Sequence, residues 1–250
     1  NSGIYYSVRA PMFQLINGSA AFLYGWTASP SGSVTFQDTN AAQTSVVFTS
    51  SSTTTITAQY SSNTITMNTT IPSGVTLTVN SGTTLNFPSG AGLVVNGKLV
   101  SSGAVFSSTS GSWKGITLSH AEGSSIQNTT ISYALSPIII DTTSSITVSN
   151  CTINNSSFYD NNFNEAAAIQ VWHSTPTITL TTIEGQSNEG QSNSWNGVRF
   201  ADNSGGTLEY STIENLGDGN GIIIIKIPVS NPFLKIGYYL CAPTIVFILI

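Results

Sequence analysis

Charge is what this chain has least of. Asp, Glu, Lys and Arg make up 7% of its 250 residues, against about a quarter in an ordinary soluble domain. Solubility must therefore come from Ser, Thr, Asn, Gln and Gly. Lys and Arg total 6 and form no basic patch, which excludes nucleic acid as a partner, because neutralising phosphates needs clustered cations. The formal net charge of −5 comes without an acidic run and points to no partner. Cysteine is nearly absent too. Cys151 and Cys241 have no metal-ligand spacing and leave the redox compartment open. Cys151 reads as a small buried thiol on a strand. A long apolar run is also missing. Ile236–Ile250 is uncharged but spans only fifteen residues and contains Pro243, whereas a membrane helix needs about 20 apolar residues. That tail reads as a buried cap, a truncated anchor or a misread end, and any membrane contact is expected only there. The chain opens on Asn1, with no signal-peptide pattern before it, so it is expected to be processed or cut from a longer protein.

What remains is plentiful and regular. Apolar residues reach 40% and are evenly spread, which argues against disorder. Four segments repeat one phrase: IQNTTI (126–131), VSNCTI (148–153), ITLTTI (178–183) and LEYSTI (208–213). Aligned on the last isoleucine, Thr130, Thr152, Thr182 and Thr212 coincide. Before each lies an apolar-x-apolar strand: Gly115–Leu118, Pro137–Ile140, Ala168–Val171 and Gly197–Phe200. Ser112-Trp113-Lys114-Gly115 returns as Ser194-Trp195-Asn196-Gly197. A phrase returning every 22 to 30 residues, built of strands too short to bury their apolar face alone, means a solenoid of stacked β-coils. From Ile71 the strands Val75–Val79, Leu85–Phe87, Leu93–Val95 and Leu99, separated by glycines, read as its narrow first coils. Residues 1–60 alternate with period two between turns and read as a small, incomplete antiparallel β module.

The expected fold is all-β: the module at 1–60, a parallel β-helix at 61–225, and an unassigned hydrophobic tail at 226–250, with the coil pattern ending after Lys226. The phrases GTTLNF, VNGKLVSSG and WKGITL, followed by the TI coils, resemble the right-handed parallel β-helix of pectate-lyase-like surface proteins. The right hand of the coil is implied by that resemblance. Gly25-Trp26-Thr27 and Thr55–Tyr60 resemble a divergent internalin-B-type surface repeat, a stalk or spacer module.

Stacking turns sequence into columns about 4.8 Å apart. One outward column reads Thr117, Ile139, Gln170, Arg199, Ile223. The two positions after that strand read Ser119-His120, Asp141-Thr142, Trp172-His173 and Ala201-Asp202. Asp141, Gln170, Trp172, His173, Arg199 and Asp202 are thus expected on one face, where an indole and charged groups suit a sugar. A plain solvated β-face gives the same column, and Ile139 and Ile223 favour it. A second column, Ser132, Asn154, Glu184, Glu214, sets two carboxylates one rung apart. Glycosidase chemistry uses carboxyls about 5–5.5 Å apart, so Glu184 and Glu214, with Arg199 and Asp202, are the weak catalytic candidates. No cofactor is expected, Ca2+ being the cation such a carboxylate pair would take. The wider set that β-helix lyases and hydrolases carry is missing, since strand-borne Asp is nearly absent. Coil insertions at 154–167 and 184–196 carry Phe158, Tyr159, Phe163 and Trp195, candidates for ligand stacking or for capping the core edge. A one-residue-wide Thr column reads as a structural ladder rather than an ice-binding face.

The expected function is a non-catalytic extracellular or cell-surface segment, a rigid spacer or adhesin whose partners are glycans or other surface macromolecules. The rival is a polysaccharide lyase or glycoside hydrolase on the same scaffold. Sequons at Asn17, Asn68, Asn128, Asn150, Asn154 and Asn155 and the scarcity of charge fit an extracellular glycoprotein.

Overall fold

In a computed structural model, the description covers residues 4–51, 53–143, 145–156, 167–185, 196–214, 221–225, 234–236 and 245–248. Every regular element among them is a strand. From Thr69 onward the chain winds through three faces in turn. The first face begins with Thr69–Ile71 and Gly92–Val95, the second with Thr76–Val79 and Lys98–Ser102, the third with Thr84–Pro88 and Val105–Ser110. Each new coil adds one strand to each face, and among the described residues the faces reach eight, seven and six strands, all parallel. This is a parallel β-helix. The eight-stranded face spans roughly 34 Å along the axis at the usual rung spacing.

Register follows the repeated phrase. Ile116, Ile138, Ile169 and Val198 stand in line on the first face. Ile126, Val148, Ile178 and Leu208 do so on the second, and Ile131, Ile153, Ile183 and Ile213 on the third. All are buried. Alternation with period two points each of these inward, and stacking makes one continuous apolar column from residues that bury little alone. Large rings fill the early coils. Trp113 stacks on Phe87 at 4.1 Å between centroids and donates its indole N–H to the Ser132 carbonyl at 2.8 Å, so a buried polar group is satisfied.

The N-terminal module consists of two three-stranded antiparallel sheets. Its Phe13 and Phe22 belong to the same buried cluster as Ile65, Ile71 and Leu77 of the first coil. The module thus covers the apolar end that a bare solenoid would expose.

Corners are built by one device, used repeatedly. A residue with positive φ makes the bend, and a small buried hydroxyl or thiol follows it. Asn128, Asn150, Leu180 and Tyr210 have φ between 49° and 52° and precede Thr129, Cys151, Thr181 and Ser211, all buried. Each of these donates to the carbonyl two residues back: Thr129 to Gln127 at 2.7 Å, Cys151 to Ser149 at 3.3 Å, Thr181 to Thr179 at 3.0 Å and Ser211 to Glu209 at 3.0 Å. Each of these carbonyls also accepts a backbone N–H from the preceding coil, so the side chain adds a second bond that closes the bend from inside.

Cys151 stands where its neighbours carry hydroxyls, and burial pushes its thiol above the ordinary 9.0. A raised thiol pKa means the folded state holds its proton longer than the unfolded chain. That contribution is fully present below the unfolded value and is lost as pH rises through and beyond 9.0. Cys151→Ser is expected to melt within about 1 kcal/mol of the parent near neutral pH and to lose this alkaline decline. Cys151→Val removes one of the two donors to the Ser149 carbonyl, the Asn128 N–H at 3.0 Å remaining, and should cost about 0.5–1.5 kcal/mol. Denaturant titrations at neutral pH and above pH 9.0 test both; a Val variant as stable as Ser would show that the donor is idle.

Two expectations change. The column Ser132, Asn154, Glu184, Glu214 breaks in the middle: Ser132 pairs Asn154 and Glu184 pairs Glu214, but the register shifts between Ile153 and Ser156. Asn155, with φ 49°, is the extra residue. The coils also do not stop at Lys226. Leu234–Ile236 pairs with the second-face strand Gly206–Glu209, and Ile245–Ile248 pairs with the first-face strand Ile222–Ile225. No Thr-Ile phrase marks this last turn.

Candidate functional site

The bend between the first and second faces is held by backbone bonds that climb the stack. His120, Thr142 and His173 have φ of 54°, 51° and 47°. Their N–H groups donate to the carbonyls of Asp141, Trp172 and Asp202 on the next rung at 3.3, 3.1 and 3.2 Å. Buried Thr143 and Ser174 anchor the bend from inside, donating to the Asp141 and Trp172 carbonyls at 2.9 and 2.6 Å. Ser204 does the same to Ala201. With the backbone fixed on both sides, the side chains at Asp141, Trp172, His173 and Asp202 project outward along one edge.

Asp141, Trp172 and Ala201 are register partners. His173 Nδ1 lies 3.2 Å from Asp141 Oδ1, both half-exposed. The Thr142 hydroxyl donates to the same oxygen at 2.9 Å. One rung away, Gln170 pairs Arg199, and the Arg199 guanidinium lies over the Trp172 ring, 4.2 Å from its centroid. That contact is a cation–π stack. Gln170 Nε2 reaches Ser136 Oγ at 3.5 Å. Asp202 is half-buried at the bend above His173. Of the six expected residues, Asp141, Gln170, Trp172, His173 and Arg199 are joined by register or side-chain contact, and Asp202 through its carbonyl, which accepts the His173 N–H. Arg199 is the exception in exposure: it sits in an outward column yet is only 4% exposed, with its guanidinium over the Trp172 ring. Its fork does not face solvent as the column alone suggests.

Glu184 and Glu214 are register neighbours on the third face, away from this corner. Glu184 is exposed and Glu214 half-buried. Among the described residues no group of three His, Cys, Asp or Glu side chains is placed to hold a metal ion. His120 bonds Ser119 Oγ at 3.2 Å and lines a separate cleft of about 230 Å³ with Lys98, Asn96 and Glu122. Phe158, Tyr159, Phe163 and Trp195 lie outside the described residues.

The chain matches no protein-family model, no curated protein and no solved structure. Residue roles therefore rest on this geometry alone.

Two participants stand outside the six expected residues. Thr142 holds Asp141 Oδ1, and Ser136 meets Gln170. Thr142 shares the bend position with His120 and His173, so the alignment that finds one finds the other; Ser136 precedes its strand and carries no such signal. Chemically, the corner offers an indole with one face occupied by a cation, two carboxylates and an imidazole. Such groups grip hydroxyls and a flat apolar ring face.

Proposed function

We propose that this chain is a non-catalytic surface segment, a rigid spacer whose corner at Asp141, Trp172, His173 and Asp202 contacts glycans. Its coil phrases resemble right-handed pectate-lyase-like β-helix surface proteins, and its N-terminal module resembles a divergent internalin-B-type stalk repeat. Both likenesses favour an extracellular place, as does a surface made soluble by Ser, Thr and Asn rather than by charge. One buried cluster running from the module into the coils supports the spacer role, since a shared core resists bending at the junction. The observation that carries the ligand reading is the Trp172 ring braced by Arg199 at 4.2 Å, beside the Asp141–His173 pair. A pre-ordered indole loses little freedom when a sugar stacks on it.

Binding of the chain to an array of neutral, amino and acidic glycans, followed by titration of any hit, tests this reading. Trp172→Ala should weaken binding about tenfold, the equivalent of about 1.4 kcal/mol, with little change in melting. No binding to any glycan leaves the spacer role alone. Release of reducing ends or unsaturated products, abolished in Glu214→Gln, would replace it with the enzymatic reading.

A further inference from the structure

The charge placement at this corner narrows the class of glycan, an inference that rests on the glycan reading above. Three rungs contribute in order: Asp141 on the first, His173 and Trp172 on the second, Asp202 on the third. A carboxylate thus stands on the rung to either side of the Trp172–His173 pair: Asp141 is the register partner of Trp172, and Asp202, one residue past Trp172's other partner Ala201, stands beside His173. Asp141 is 42% exposed at its side chain, and Asp202 is half-buried at the bend. Positive charge is arranged differently. Arg199 is 4% exposed, with its guanidinium against one face of the Trp172 ring. A ligand arriving from solvent thus meets two carboxylates and an imidazole before it meets a cation. The chain as a whole reinforces this, with 11 acidic residues against 6 basic ones.

We infer that the corner selects glycans bearing protonated amines, such as glucosamine oligomers, and disfavours polyuronates. One sugar ring would lie on the open side of the indole, and amines of the flanking units would reach Asp141 and Asp202. Carboxylate sugars would face like charges on both sides, at distances within the screening length of about 8 Å at physiological salt. Each exposed pairing is worth up to about 1 kcal/mol, so two together give roughly tenfold discrimination or somewhat more.

Titration of the whole chain with three oligosaccharide probes of equal length tests the assignment: glucosamine, N-acetylglucosamine and galacturonate, at a pH where the sugar amines are protonated. Glucosamine oligomers should bind about tenfold tighter than their N-acetylated form, with galacturonate weakest. The preference should collapse between about 0.01 M and about 1 M salt, as the Debye length falls from about 30 Å to about 3 Å. Asp141→Asn and Asp202→Asn should each lower glucosamine affinity about threefold to fivefold and N-acetylglucosamine affinity by less, so that the preference for the amine narrows. Equal binding of the amine and N-acetyl probes, removed by Trp172→Ala, would overturn the charge selection and keep the glycan reading. Tighter binding of galacturonate would overturn the selection outright. Failure of all three probes, together with the array, would remove the glycan reading itself.

Discussion

Gly115→Ala is expected to destabilise the chain by about 4 kcal/mol or more, a large share of the roughly 5–15 kcal/mol that holds a native protein. Gly115 opens a first-face strand with φ +103°, a conformation that L side chains rarely adopt. A Cβ placed there would run into the carbonyl of Ser136 and approach that of Pro137 on the next rung. Both neighbours are backbone and cannot swing aside. They are also held in place: Ile116 N–H donates to the Pro137 carbonyl at 3.0 Å, and Ser136 N–H to the Lys114 carbonyl at 3.1 Å. Accommodating one methyl group must pry two rungs apart. Backbone strain of about 1–3 kcal/mol then adds to the loss of inter-rung hydrogen bonds at about 1 kcal/mol each.

Gly90→Ala is the matched control. Gly90 has φ +77°, but a methyl group added there would meet nothing within 4 Å, so it should lose only about 1–2 kcal/mol of backbone preference. Trp113, stacked on Phe87 two residues before Gly115, reports on the affected rung by its fluorescence. Denaturant melts of the two variants should differ severalfold in cost; equal, small losses would mean that the rungs do not approach closely at Gly115.

Much of the architecture could be read from sequence because each coil repeats the same demand. An inward isoleucine must sit above an inward isoleucine, so Ile131, Ile153, Ile183 and Ile213 line up whatever lies between them. The first-face column through Thr117, Ile139, Gln170 and Arg199 followed from the same rule. What the rule misses is physical. Asn155 adds one residue to a strand, and an added residue looks like any other polar residue until the pairing is seen. Bends are made by His, Thr, Asn, Leu and Tyr alike, so the positive φ has no shared residue type to announce it. The hydroxyl that anchors each bend is better marked, and Thr129, Cys151, Thr181 and Ser211 form the clearer signature. The last turn beyond Lys226 was hidden because its strands, Leu234–Ile236 and Ile245–Ile248, lack the Thr-Ile phrase.

At the candidate site the division is similar. Column position brought Asp141, Trp172, His173 and Asp202 to one corner, since backbone register decides that. Column position could not reveal that Arg199 packs against the indole, because a long side chain chooses among neighbours on adjacent rungs. The difference changes the chemistry offered to a ligand: an exposed guanidinium would invite carboxylates, whereas a covered one leaves the aspartates to decide.

Register itself can be measured directly through covalent reach. Thr147 and Thr177 are partners on the second face although 30 residues apart in sequence, and Ser149 pairs Thr179. In a Cys151→Ser, Cys241→Ser background, cysteines at 147 and 177 would have Cα atoms about 4.8 Å apart, inside the roughly 4.4–6.8 Å range that a disulfide spans. Cysteines at 147 and 179 would stand about 8 Å apart, beyond it. Stacked parallel coils in this register predict that mild oxidation closes the 147–177 bond nearly completely in the folded chain and leaves 147–179 open. Closure of 147–179 with 147–177 left open, or equal slow closure of both, would contradict the stacking on which every assignment above depends.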